Sequence, residues 1–96
     1  MLAQDIELLL EYAGRLHIEE HISSGLYFEN KELAYIAIFA NEDPHSNDIA
    51  TKLYVDASVT ANLIQSYDKF RRIIKDHIKQ EELRREYVLR NNRGSI

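Results

Sequence analysis

The sequence predicts an all-α or mainly α fold of helix-turn-helix type, and three observations carry that expectation. One proline and three glycines among 96 residues leave few helix breakers. Apolar residues recur at spacings of three and four along much of the chain, the period of an amphipathic helix. Between Ser46 and Tyr67 two short apolar-faced segments flank a tight connection, with small Ala50 placed where two helices would cross. The length admits a single domain over residues 1–96.

Taken in order, the first element is a helix from about Leu2 to Ile22. Leu2, Ile6, Leu9, Ala13 and Leu16 draw one stripe along it, and Gly25 follows as a stop. A stripe this long in so short a chain suggests burial against a second copy, so a homodimer through residues 2–22 is expected. Asn30 is a plausible N-cap for a second helix reaching Ala40, with Leu33, Ile36, Ala37 and Ala40 on one face. Asn41-Glu42-Asp43-Pro44 would break it. Ser46 would cap a short third helix, Asp48 would sit in its first turn, and Ile49, Ala50 and Leu53 would point inward.

Asp56 or Ser58 would cap the fourth helix. Its inward series is Val59, Leu63, Tyr67, Phe70, Ile74 and either His77 or Ile78, and the phase slips at Glu81-Glu82. Tyr87-Val88-Leu89 favours a strand and Asn91-Asn92-Arg93-Gly94 a turn, so the last segment reads either as a short C-terminal β-hairpin or as a fraying helix end.

Composition narrows the function classes. Without cysteine there is no disulfide framework and no thiolate zinc site. No run approaches eighteen apolar residues, so no transmembrane helix is expected, and the acidic start MLAQDIELLL is unlike a signal peptide. The expected setting is cytoplasmic. The net charge of −4 is uneven. Residues 1–56 hold three Lys/Arg against eleven acids, a balance of −8, whereas residues 57–96 hold nine against five, a balance of +4. The basic half could face a polyanion, or it could simply be a solvated helix face.

From Gly25 to Phe70 the chain resembles the MarR family of winged-helix transcription regulators. Leu26-Tyr27 stands for its lead-in, LAYIAIFANEDP for its apolar helix and loop, and DIATKLYVDASVTANLI for its helix-turn-helix. The similarity runs through Ile49, Ala50, Leu53, Val55, Ser58, Leu63 and Ile64. Tyr54 stands where that family favours glycine. Arg84-Arg85 and Arg90-Asn91-Asn92-Arg93 replace its acid-bearing wing tip, and its C-terminal dimerisation helices have no counterpart.

The resemblance implies a small dimeric regulator that binds double-stranded DNA through a recognition helix at about residues 57–78. Asn62 and Gln65 have the chemistry to read adenine edges, with Ser58 beside them. Lys69 and Arg72 would lie near phosphates, and Arg84 and Arg85 would serve in the wing. A helical protein-interaction module that does not bind DNA is the alternative, motivated by the acidic first half and by a recognition helix that starts without arginine.

His17-Ile18-Glu19-Glu20-His21 formally matches H-x-x-E-H, but a chain of this size offers no room for a protease cleft. His45 or Glu42 could add a ligand, although two solvated histidines on a helix are the simpler reading. With no G-x-S-x-G, glycine-rich phosphate loop or cysteine, no enzyme activity, cofactor or metal is expected.

Overall fold

The computed structural model describes residues 1–40 and 49–94, with side chains through Val88. The element order is α1 (Ala3–Glu20), β1 (Ser24–Phe28), β2 (Ala34–Phe39), β3 (Ile49–Val55), α2 (Ala57–Leu63) and α3 (Tyr67–Gly94). The fold is therefore α+β, and the mainly α expectation is corrected. The strands form one antiparallel sheet in the order β1-β2-β3.

The opening helix is where its stripe places it. Leu9 and Leu16 are buried, and Tyr12 and Ala13 pack against the same core. His21, at φ 59°, closes the helix in the left-handed conformation. Leu9, Ala13 and Leu16 of the stripe are thus covered within the chain, while Leu2 at its start stays 63 % exposed, and the covered part gives no reason to assign the helix to a second copy.

The next two expected helices are strands. AYIAIF is a continuous apolar run, and such a run has no period that separates a buried strand from a buried helix. Tyr35, Ile36, Ile38 and Phe39 are β-branched or aromatic, and once paired on both sides the run becomes the central strand. Asn30 caps no helix. Its Oδ1 accepts from the backbone N–H of Glu32 and of Leu33, both at 2.9 Å, which folds the β1–β2 connection into an Asx-type turn.

Ile49–Val55 is the edge strand β3, so Ala50 is no helix-crossing point and the helix-turn-helix layout is not formed. Ser46 and Asp48, with Asn41–Pro44 and His45, lie outside the described residues. The expected recognition helix is divided in two. Asp56 caps α2 by accepting from Val59 N–H at 2.8 Å. Ser66 then caps α3, its Oγ accepting from Lys69 N–H at 3.1 Å. The last segment continues α3 to Gly94, with no hairpin.

Alternation along the strands decides what the helices cover. Ala34, Ile36 and Ile38 of β2, with Val55 of β3, turn to one face and are at most 4 % exposed. Against them pack Leu9 and Leu16 of α1, Leu63 of α2, and Tyr67, Phe70 and Ile74 of α3. Tyr12 binds the two long helices together, its ring 5.9 Å from that of Tyr67 and 5.7 Å from that of Phe70. Arg15 lies over the Tyr67 ring at 4.0 Å. All three helices serve this inner face.

Candidate binding face

The opposite face of the sheet carries the other half of the alternation. The registers Tyr27↔Tyr35 and Tyr35↔Tyr54 set one tyrosine from each strand in a single row. Ring centroids are 5.8 Å apart for Tyr27–Tyr35, which stack, and 5.7 Å for Tyr35–Tyr54, which are tilted. Phe39 meets Tyr27 edge-on at 6.5 Å. Lys52 brings its Nζ to 4.7 Å from the centre of the Tyr35 ring.

The rows are built tightly. Tyr27 leans over Gly25 so closely that a Cβ there would stand 3.0 Å from the ring. Glycine at position 25 therefore lets the ring lie down, and Ala37 beside it is fully buried. Tyr27 remains 45 % exposed and Tyr54 42 %, so these rings are presented to solvent rather than sunk in a core. The Tyr54 hydroxyl donates to Glu29 Oε1 at 3.2 Å, which fixes the end of the row. No described residue covers this face.

The residues expected to contact DNA are placed differently. Ser58 and Asn62 are joined within α2, Asn62 Nδ2 donating to Ser58 O at 3.0 Å. Gln65 lies between the helices and accepts from Lys69 Nζ at 3.3 Å. Arg72 pairs with Asp68 at 3.4 Å. Arg84 is exposed, and Arg85 reaches back to the carbonyl of Ala50 at the edge of β3. These side chains are distributed over two helices that serve the inner face, and none joins the tyrosine row.

The basic α3 is also partly neutralised by α1. Glu20 accepts from Arg71 at 3.0 Å and from Lys75 at 3.3 Å. Those two bonds, that of Arg71 first, hold the Glu20 carboxyl below its ordinary range and reinforce the charge on Arg71. Burial raises the Tyr67 phenol above its ordinary value. His17 is exposed and His21 ends α1, and among the described residues no three His, Cys, Asp or Glu side chains gather as a metal site. No described helix is long and apolar enough to cross a membrane.

Comparison with family models, curated proteins and solved structures gave no match.

Tyr27 stood in the sequence as part of a lead-in, Tyr35 within an apolar helix and Tyr54 where a glycine was favoured. Only the strand pairing unites them. The available signal was local: IATKLYV puts Lys52 and Tyr54 on one parity and Thr51, Leu53 and Val55 on the other, as a half-buried strand does. A second exposed apolar stretch, Leu83, Tyr87 and Val88, lies toward the far end of α3.

Proposed function

We propose that this chain is a protein-interaction module whose binding surface is the tyrosine face of the sheet, and that its partner is a basic, arginine-bearing protein segment. The observation that carries the reading is the row Tyr27–Tyr35–Tyr54, its two outer rings exposed and Tyr35 half-buried between them, aligned in register across all three strands. Tyrosine supplies a large, rigid contact area with only two side-chain torsions to immobilise, and tyrosine and arginine are enriched among the residues that dominate binding energy. Guanidinium groups stack on such rings.

The charges at the row are Glu29, which accepts from the Tyr54 hydroxyl, and Lys52, which lies over the Tyr35 ring. A nucleic acid could also stack bases on tyrosines, but it would need cations along its phosphates. Lys52 is the cation that contacts the row, and it lies over a ring. The chain then acts as an adaptor, recognising a segment without chemically changing it.

An NMR titration with a decapeptide alternating arginine and valine tests this, with single-stranded and duplex DNA titrated in parallel at low salt. Expected are shifts confined to Tyr27, Tyr35, Phe39, Lys52 and Tyr54 with the peptide, weakened at least about tenfold by Tyr35→Ala, the cost of about one good contact. DNA binding that weakens steeply with salt and involves Asn62, Gln65 or Arg72 would replace this reading with the DNA-binding one. A peptide that perturbs only other surfaces would overturn it as well.

A further inference from the structure

The two edges of the sheet differ in their backbone hydrogen bonding. Phe39 N–H donates to Ser23 O and Glu29 N–H to Leu33 O, both at 2.9 Å. Bonded and non-bonded pairs alternate in an antiparallel ladder, so Ser23, Gly25, Tyr27 and Glu29 turn their backbone groups toward β2. Ser24, Leu26 and Phe28 therefore turn theirs outward. The same alternation sends the groups of Ala50, Lys52 and Tyr54 to the outer edge of β3. There α3 meets them: Arg85 donates to Ala50 O, and the His77 ring lies 3.2 Å from Lys52 O and 3.1 Å from Thr51 Oγ1. The β3 edge is guarded, whereas no described residue bonds the outward groups of β1.

Edge strands are normally blunted by charge, proline or a bulge. Ser24-Gly25-Leu26-Tyr27-Phe28 has no charge and no proline, and the irregularity in the sheet falls at Ile38/Phe39, against β3. We infer that two copies of this chain pair antiparallel through β1 about a two-fold axis at Leu26, joining their sheets into one of six strands. The occupant follows from the complementarity of the edge with itself. In that register Leu26 faces Leu26 and Ser24 faces Phe28 of the second copy, so all three outward residues on each side find partners. On the tyrosine face, Tyr27 of one copy falls opposite Gly25 of the other, over which that copy's own Tyr27 ring lies, so the two rings would meet across the seam. On the inner face Phe28, half exposed in one chain, gains cover.

Both α1 helices lie on one face of the joined sheet. α1 packs on β1 and leaves Leu10, Gly14 and Ile18 uncovered at spacings of four. A five-residue seam alone is smaller than the about 1,200–2,000 Å² of stable interfaces, so the pairing is a weak one that fills at high concentration. The inference goes beyond the tyrosine-face reading and does not depend on it.

Amide hydrogen exchange measured by NMR at about 20 μM and about 1 mM chain tests it, since mass action drives a weak pair as concentration rises. Expected is exchange at Leu26 and Phe28 slowed at least about tenfold at the higher concentration, with Gly25 and Tyr27 already protected at both. Phe28→Pro removes an outward donor while sparing the β1–β2 ladder, and Phe28→Lys keeps the donor but adds an edge charge. Both should abolish the concentration dependence. Exchange at Leu26 and Phe28 that ignores concentration overturns the inference, as does self-association that survives in both variants. Loss of peptide binding in Tyr35→Ala with Leu26 protection retained separates the two proposals.

Discussion

The two faces of the sheet are built by the same three strands, yet they answer to different constraints. On the inner face Ala34, Ile36, Ile38 and Val55 are nearly inaccessible and meet α1, α2 and α3. On the outer face, one residue along, the chain places Tyr27, Tyr35, Tyr54, Phe39 and Lys52, whose rings touch one another and solvent. Aliphatic side chains suit the inner face because removal from water is their whole contribution. Tyrosine suits a surface that must stay soluble alone and still bury area on contact, since its ring is apolar and its hydroxyl is not. Folding is thus concentrated on one side of the sheet, and the surface proposed for recognition lies on the other.

The sharpest way to break that division is to delete bulk from each side. Phe70 is fully buried among Tyr12, the sheet and the rest of the core. Phe70→Ala should cost about 3–5 kcal/mol, from lost burial and the cavity left behind. Out of a total of about 5–15 kcal/mol for a typical domain that is a large share. Urea unfolding monitored by circular dichroism checks it. A loss below about 1 kcal/mol, the level of a surface change, would mean the inner layer is not the core.

A smaller effect is expected where the chain leaves the sheet for the helical layer. Asp56 follows β3 directly and holds Val59 N–H at 2.8 Å. Asp56→Ala should cost about 1 kcal/mol, and Asp56→Ser much less, because serine still offers an oxygen to the same N–H. Equal losses in the two variants would show that the cap bond is not the cause.

Much of the inner layer was legible in the sequence. The stripe through Leu9 and Leu16 and the series Leu63, Tyr67, Phe70 and Ile74 report helices because the residues that define them are near neighbours, and all six are buried. The cap was narrowed to Asp56 or Ser58, since a cap acts three residues away, and Asp56 is the one that holds Val59 N–H. The strands were not. Leu33, Ile36, Ala37 and Ala40 satisfy helical spacing by coincidence within a run that is apolar almost throughout, and Ile49, Ala50 and Leu53 do so within a segment that also alternates. The tyrosine face was hidden for a deeper reason. Tyr27, Tyr35 and Tyr54 come together only through pairings between distant segments, and a local period cannot report those. The cations of α3, by contrast, were conspicuous in sequence but are partly occupied by Glu20 and Asp68.

The outer face should respond weakly to the same kind of deletion. Tyr35→Ala removes two ring contacts, each worth about 0.2–1 kcal/mol as a cross-strand pair, so the fold should survive with a modest loss. Its effect on peptide binding should exceed its effect on stability. Thermal unfolding set beside the peptide titration measures both. If Tyr35→Ala unfolds the chain as Phe70→Ala is expected to, the tyrosine row belongs to the core and the division between the faces fails.

The smallest effect expected concerns the ion pairs that tie α1 to α3 behind the sheet. Glu20 accepts from Arg71 and Lys75, and its carboxyl is held below its ordinary value of 4.5, chiefly by the Arg71 bond. A carboxylate with a lowered folded-state pKa adds stability above its unfolded pKa and loses it as pH falls through the folded one. The wild-type chain should therefore lose stability on acidification from about the ordinary value downward. Glu20→Gln keeps the shape and a hydrogen-bonding oxygen but removes the charge, so it should be slightly less stable at neutral pH and show a flatter acid limb. The Glu20 side chain is 26 % exposed, so solvent screens part of the interaction and the change stays small. Urea midpoints followed from pH 7 to pH 3 provide the measurement. An acid limb equally steep in both proteins would place the acid sensitivity on other carboxylates, and would leave α1 and α3 joined by their shared core, the rings of Tyr12, Tyr67 and Phe70, and Arg15 over Tyr67.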